Sequence, residues 1–431
     1  MNAKVQKPAL VDQQVDTRGA GRTLALLICF LVIVLDGFNT TSISFVVPTL
    51  ANQWHLAPAL FTPVFVATNI GAALGFMLTG PLAQRFGQRM VGVSSVVLFG
   101  GATLLTMYST NVAMLAALRL VAAIGLGAAL PIAITASASI IGAKHKVAAS
   151  LLVTTGMSVG AVTGGVIGGP LMTHFSWQAI FVVGGVLPFV LVPPFFRVLA
   201  VGGVADTGVG TSTSTSAAQA TKAANPLAAL FRPGLALYTS LLWLFSFLIF
   251  MDVYALLFWV PTLLPAFGFP IDRAPVGIAA FSIGGLSGNV LMTVAVALMT
   301  LAGQVRVKSA LAMGIVLVIA SVAALGQLTL PQGVVLLLIG VIGAGLVNGI
   351  MGQTALAVAF YPPELRATGV GWGHAIGRVG SFVGPAIGGA LLSLGWPVRD
   401  IVVTAALPAA AAIVTLAAIA LTSRKLERTG H

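Results

Sequence analysis

Charge is what this sequence has least of. Only 7% of its residues are Asp, Glu, Lys or Arg, where a soluble globular domain carries roughly 25%. A body of this composition has too few charges to cover itself in water. Cysteine is nearly absent too. Cys29 is the single one; it excludes an intramolecular disulfide and, inside an apolar run, reads as a small buried hydrophobe. Also missing are a phosphate-binding loop, a dinucleotide fingerprint, a metal-ligand cluster and a nucleophile triad. The loops are too short to house an ATPase domain. The expectation is therefore no enzyme, no cofactor and no bound metal, with energy for any vectorial task drawn from an ion gradient or from the solute's own gradient.

What fills the chain is apolar: 58% of the residues are hydrophobic. Runs of spanning length fall at 23–49, 58–83, 90–109, 112–141, 147–173, 177–199, 235–265, 274–302, 309–329, 332–360, 367–394 and 397–421. At about 20 residues per crossing, these predict an all-α integral membrane protein with twelve transmembrane helices. The polar stretch Met1–Arg22 precedes an apolar run too long for the core of a cleaved signal peptide, so that run reads as the retained first helix.

The net charge of +12 does not point to nucleic acid. A nucleic-acid reader gathers Lys and Arg on one solvated face, whereas here they stand in short clusters between apolar runs. They set orientation instead. Of the 21 Lys and Arg residues, all but Arg119, Arg273, Arg378 and Arg399 lie in the termini or the even-numbered loops. The positive-inside rule then predicts both termini in the cytoplasm, in the inner membrane of the cell.

The chain divides into a cytoplasmic tail at 1–22, a six-helix bundle at 23–199, a linker at 200–234, a second bundle at 235–421 and a tail at 422–431. The linker rests on the Thr-Ser alternation of residues 211–216, which has no apolar face to bury. The halves repeat. Gly160, Gly164, Gly168 and Gly169 align with Gly380, Gly384, Gly388 and Gly389 at an offset of 220, and the two mid-helix acids, Asp36 and Asp252, are 216 apart. Glycines four apart share a helical face and let a second backbone approach, so these are packing surfaces of helices five and eleven.

Asp36 lies about fourteen residues, roughly 20 Å, into helix one, which is mid-bilayer. An ionised carboxylate there costs several kcal/mol unless it faces water, pairs or takes up a proton. It is thus a candidate proton carrier; the alternative is an acid held by permanent hydrogen bonds. Asn39 and Thr40 follow at three and four residues and are candidate cavity lining. Arg119, inside helix four, needs an anionic partner, and Asp36 is the natural one, as a structural salt bridge or as a proton-linked switch. Arg378, about twelve residues into helix eleven, can hold a carboxylate bidentately. His374, one turn earlier, is a substrate donor, a second proton site or a satisfied core imidazole. Asp252 should lie opposite a helix-seven stripe of Trp243, Phe247, Phe250, Tyr254 and Phe258. That stripe is either a packing or lipid face or, through Tyr254 or Phe250, part of an aromatic substrate box.

Gly80-Pro-Leu-Ala-Gln-Arg85-Phe-Gly87-Gln-Arg89, between helices two and three, resembles the loop signature Gly-x-Leu-Ala-Asp-Arg-x-Gly-Arg-Arg of the major facilitator superfamily. Gln84 and Gln88 stand where that signature is charged, which weakens the charge latch; alternatively Arg85 and Arg89 are plain positive-inside anchors. Arg119 and Gly125 match the superfamily's helix-four pattern. The resemblance implies two pseudo-symmetric six-helix bundles with a midplane site between them.

Leu35-Asp36-Gly37-Phe38-Asn39-Thr40, Trp259-Val-Pro261 and Tyr361 to Trp372 with Gly377-Arg378-Val-Gly380 resemble the aromatic acid:proton symporter family across nearly the whole chain. The family's helix-one signature, Asp-Gly-x-Asp, is here Asp-Gly-Phe-Asn. The resemblance implies that Asp36 couples protons. With Asn39 in the second acid's place, Asp36 acts alone, Asp252 shares the task, or coupling differs from the family's. The expected function is proton symport of a benzoate-like acid by a monomer, its carboxylate on Arg378. The rivals are proton-coupled export of small amphiphiles, import of a non-aromatic organic acid and, in a different class, a non-transporting receptor.

Overall fold

A backbone in hydrocarbon has no water to bond, so its N–H and C=O groups must be satisfied within the segment, which an α-helix does. The computed structural model describes residues 9–141, 146–201, 226–232, 235–301 and 307–428, and every regular element among them is helical. In chain order the long helices are α1 (Ala9–Gln53), α2 (Thr62–Phe86), α3 (Gln88–Thr106), α4 (Val112–Ile141), α5 (Lys146–His174), α6 (Trp177–Val201), α7 (Ala236–Leu263), α8 (Ala274–Leu301), α9 (Val307–Gln327), α10 (Gln332–Phe360), α11 (Pro363–Ser393) and α12 (Ala406–Arg428). A short helix, Val398–Thr404, leads into α12 and completes the twelfth span. Among the described residues twelve helices are long and apolar enough to cross a membrane, from Gly21–Gln53 to Val398–Thr422, at the places the apolar runs predict.

The helices overrun those apolar segments. α1 is helical from Ala9 and α12 to Arg428, so the expected tails are helical wherever they are described. Leaving hydrocarbon does not oblige a helix to stop, because its backbone bonds persist and its polar side chains are solvated. Of the expected linker, α6 takes the first residues through Val201 and Pro226–Ala229 forms a helical turn; the Thr-Ser tract lies outside the described residues.

Close backbone approach builds each half and repeats between them. A Cβ on Gly160 would strike the Val34 carbonyl and the Phe38 nitrogen, so α5 sits directly on α1; a Cβ on Gly380 would strike the Phe247 carbonyl and the Met251 nitrogen, so α11 sits in the same way on α7. Without a hydrophobic effect between lipid-bathed helices, such van der Waals contact is what binds them.

The bundles meet mainly at the ends remote from the chain termini. There Gly165 and Gly168 of α5 lie against Ala279 and Pro275 of α8. Phe65 of α2 stacks on Phe258 of α7 at 4.8 Å between centroids and meets Trp259 edge-on at 5.0 Å. Trp259 donates its indole N–H to the Pro385 carbonyl of α11 at 2.9 Å. One buried apolar core joins both bundles at this end and continues down the second bundle as far as Tyr238 and Tyr361. The other core cluster belongs to α1 and α3–α6 alone, nearer the N-terminal end of α1. The halves are thus sealed at one end of their interface.

Candidate functional site

Directly beneath the aromatic seal is a cavity between the bundles. Asp36 and Thr40 reach it from α1; Thr68, Asn69, Ala72 and Phe76 from α2; Ala123, Leu126, Gly127 and Leu130 from α4; Met157 from α5; Tyr254 and Arg378 from α7 and α11. The level follows from helix spacing: Tyr254 is one turn from Phe258, and Asn69 one turn from Phe65.

Its polar walls face one another by charge. Thr40 donates to Asp36 Oδ1 at 3.1 Å, a bond that leaves Oδ2 with no described partner. Opposite, Arg378 donates from Nη1 to the Tyr254 hydroxyl at 3.2 Å, a weak tie that leaves its other N–H groups able to grip an anion. Tyr254 is held in a column by Phe250 and Phe258, at 6.3 and 6.2 Å between centroids. Both Arg378 and Arg119 are within electrostatic reach of Asp36, yet neither forms an ion pair with it. The site offers a fixed cation, a hydroxyl donor, an acid able to carry a proton, and apolar faces on which a flat ring can lie.

Two expectations need correction. Asn39 does not line the cavity. It is fully buried and donates through Nδ2 to the Leu35 carbonyl at 3.1 Å and the Gly184 carbonyl at 2.9 Å, tying α1 to α6. Three residues fall about 60° short of a full helical turn and four pass it by about 40°, so Asn39 and Thr40 flank Asp36 on opposite sides, the Asn39 side meeting α6 and the Thr40 side the cavity. Arg119, also fully buried, does not pair with Asp36. Its Nη2 donates to the Asn39 backbone carbonyl at 2.8 Å, and its Nε and Nη1 have no hydrogen-bond partner among the described residues. The Asn39 backbone carbonyl of α1 stands where an anion was expected.

Asp252 and His374 lie outside the cavity. Tyr254 faces it, and two residues turn a helix by about 200°, so Asp252 points into the second bundle. It is 1% exposed and neither carboxylate oxygen has a described partner. Its face is shared with Leu256, which lines a wholly apolar pocket with Phe281, Ile339 and Val402. The buried members of the stripe, Phe250, Tyr254 and Phe258, accordingly face α11 and the seam between bundles, not lipid. His374 pairs through Nε2 with Thr354 of α10 at 3.0 Å and meets Phe250 edge-on, as a satisfied core imidazole does.

The loop motif works by geometry. Gly87 has φ 82°, caps α2 and opens α3, a left-handed turn that favours glycine. Gly80 has open space around it. The Arg89 guanidinium lies 3.5 Å from the Phe196 ring centroid of α6, and Arg85 lies 5.2 Å from that of Phe86. These are cation–π contacts, and among the described residues neither arginine forms an ion pair.

The helix-two wall was missed in the sequence. Its visible signal is the adjacent polar pair Thr68-Asn69 inside an apolar run, muted because each spends a hydrogen bond on its own helix, on Val64 and Phe65. Ala123, Leu126 and Met157 carry no signal at all, being ordinary apolar helix residues.

The family model described as Major Facilitator Superfamily matches residues 29–359. A 4-hydroxybenzoate transporter, PcaK, of Pseudomonas aeruginosa is 36% identical, with 90% of each chain covered. A gallate transporter of Pseudomonas putida is 32% identical, with 96% of each covered. Among solved structures, the nucleoside transporter NupG (D323A mutant) superposes with a TM-score of 0.72 at 16% identity, over 92% of this chain and 99% of that one, a likeness of fold.

Proposed function

The chain belongs to the Major Facilitator Superfamily, a family of transporters and not of enzymes, and from that premise we propose that it imports a benzoate-type aromatic carboxylate in symport with protons. The observation that carries this reading is the opposition, across one cavity between two bundles, of Arg378 with Tyr254 and Asp36 with Thr40. The relatives named for 4-hydroxybenzoate and gallate support the substrate class.

In the proposed cycle the substrate carboxylate lies on Arg378, where two parallel N–H···O bonds fix it, and takes a third from Tyr254. The ring lies against Phe76, Ala123 and Leu126. A proton on Asp36 removes the second negative charge from the site, since a substrate carboxylate and an ionised Asp36 in one cavity repel each other. Loaded and neutralised, the bundles rock; empty and ionised, the site resists. Asp252 takes no part, because it has no face on the cavity. Arg119 holds α4 to α1 behind Asp36. The Lys and Arg distribution supports cytoplasmic termini in the inner membrane, so the sealed end faces outward. The transporter works as a monomer with the proton as its coupling ion.

The test is uptake of labelled 4-hydroxybenzoate into proteoliposomes under an imposed inward proton gradient. Accumulation that collapses when a protonophore is added is expected. Outward movement driven by the same gradient would identify an exporter, and binding without entry a receptor.

A further inference from the structure

Asn69 is 2% exposed and lines the cavity from α2. Chemistry alone orients its amide. The Phe65 carbonyl, 3.1 Å away, can only accept, so the amide nitrogen must point at it. Oδ1 is the end left over, and it accepts no hydrogen bond from any described residue. The other polar lining groups have tasks already. Arg378 and Tyr254 present donors suited to an anion; Thr40 is spent on Asp36, and the Thr68 hydroxyl donates to the Val64 carbonyl at 2.8 Å. Asp36 is an acceptor but is also the proton's proposed resting place. Asn69 Oδ1 is left as a neutral acceptor with no proton of its own.

Resting on the aromatic-acid reading above, we infer that Asn69 Oδ1 accepts the hydrogen bond of a ring hydroxyl and makes the transporter prefer phenolic over unsubstituted aromatic acids. A phenol is a good donor and needs an uncharged acceptor in a site already holding a carboxylate. An amide oxygen receives it without adding a second anion and without competing for the coupled proton. An unsubstituted ring entering the same place strips water from Oδ1 and returns nothing, so the discrimination comes as much from the penalty on the wrong substrate as from the gain on the right one. Asn69 is a specificity residue here, not a coupling residue.

The experiment measures uptake of 4-hydroxybenzoate and benzoate as a pair, in proteoliposomes of the full chain and of its Asn69→Leu and Asn69→Ala variants, under the same proton gradient. The expected result is a fall of about tenfold in the preference for the hydroxylated acid, the scale of one buried hydrogen bond, with benzoate uptake unchanged or raised. Retained benzoate uptake shows that the variant is folded and coupled. A preference that does not move, or an equal fall for both acids in both variants, overturns the assignment and makes Asn69 structural. A parent protein that accumulates neither acid sinks the transport reading itself; one that accumulates both, with a preference insensitive to position 69, sinks only the role of Asn69.

Discussion

Asp36 and Asp252 occupy matching depths in the first helix of each half, and the fold treats them oppositely. Asp36 borders the cavity, accepts a hydrogen bond from Thr40 and has two guanidinium groups within reach. Asp252 is sealed in the second bundle, both oxygens without a hydrogen-bond partner among the described residues. The glycine contacts that set α5 on α1 and α11 on α7 are kept in both halves. Duplicated architecture therefore does not duplicate a site. On α7 the position that borders the cavity is Tyr254, two residues beyond Asp252, and that step of about 200° decides whether a carboxyl meets the cavity and its cation or only hydrocarbon.

The largest effect that would sharpen this contrast is expected from Asp36→Asn. Gradient-driven accumulation of 4-hydroxybenzoate should drop to background while exchange of internal for external substrate persists, read as counterflow in proteoliposomes. Normal accumulation at normal expression would remove Asp36 from coupling. Arg378→Lys comes next. Replacing a planar fork by a point charge at a bidentate site should raise the KM for uptake by roughly tenfold to a hundredfold, about 1.4 to 2.7 kcal/mol; an unchanged KM would move the carboxylate elsewhere.

A smaller effect separates the two acids by access. In a background with Cys29 replaced, Asp36→Cys should react with a small charged thiol reagent about tenfold faster than Asp252→Cys, the reactive species being an accessible thiolate. Equal rates would break the comparison. The smallest effect is expected from Asp252→Leu. Replacing a buried, unpartnered carboxyl with an apolar group of similar size is often neutral or stabilising, so uptake should stay within about twofold of the parent and thermal stability should hold or rise. Lost coupling in that folded variant would restore Asp252 to the mechanism.

The legible and illegible parts of the site divide along the same line. Asp36, Thr40, Tyr254 and Arg378 are visible because a polar group in mid-membrane is costly and must find a use. Asn39 and His374 pass the same test but meet the Gly184 carbonyl and Thr354 instead of the cavity. Arg119 at mid-membrane calls for a partner, and a backbone carbonyl serves where the sequence points to an anion. Thr68 and Asn69 hide within a helix by bonding their own backbone, and Leu126 and Met157 become cavity walls only through what stands opposite them.

By itself the sequence determined twelve spans and the repeat of the two halves, because hydrocarbon imposes internal hydrogen bonding and a spanning length on each segment separately. Only the tertiary structure decided which side of each helix looks into the cavity. That choice rests on neighbours hundreds of residues away, and an angular step of one residue, about 100°, is enough to turn a substrate contact into a strut.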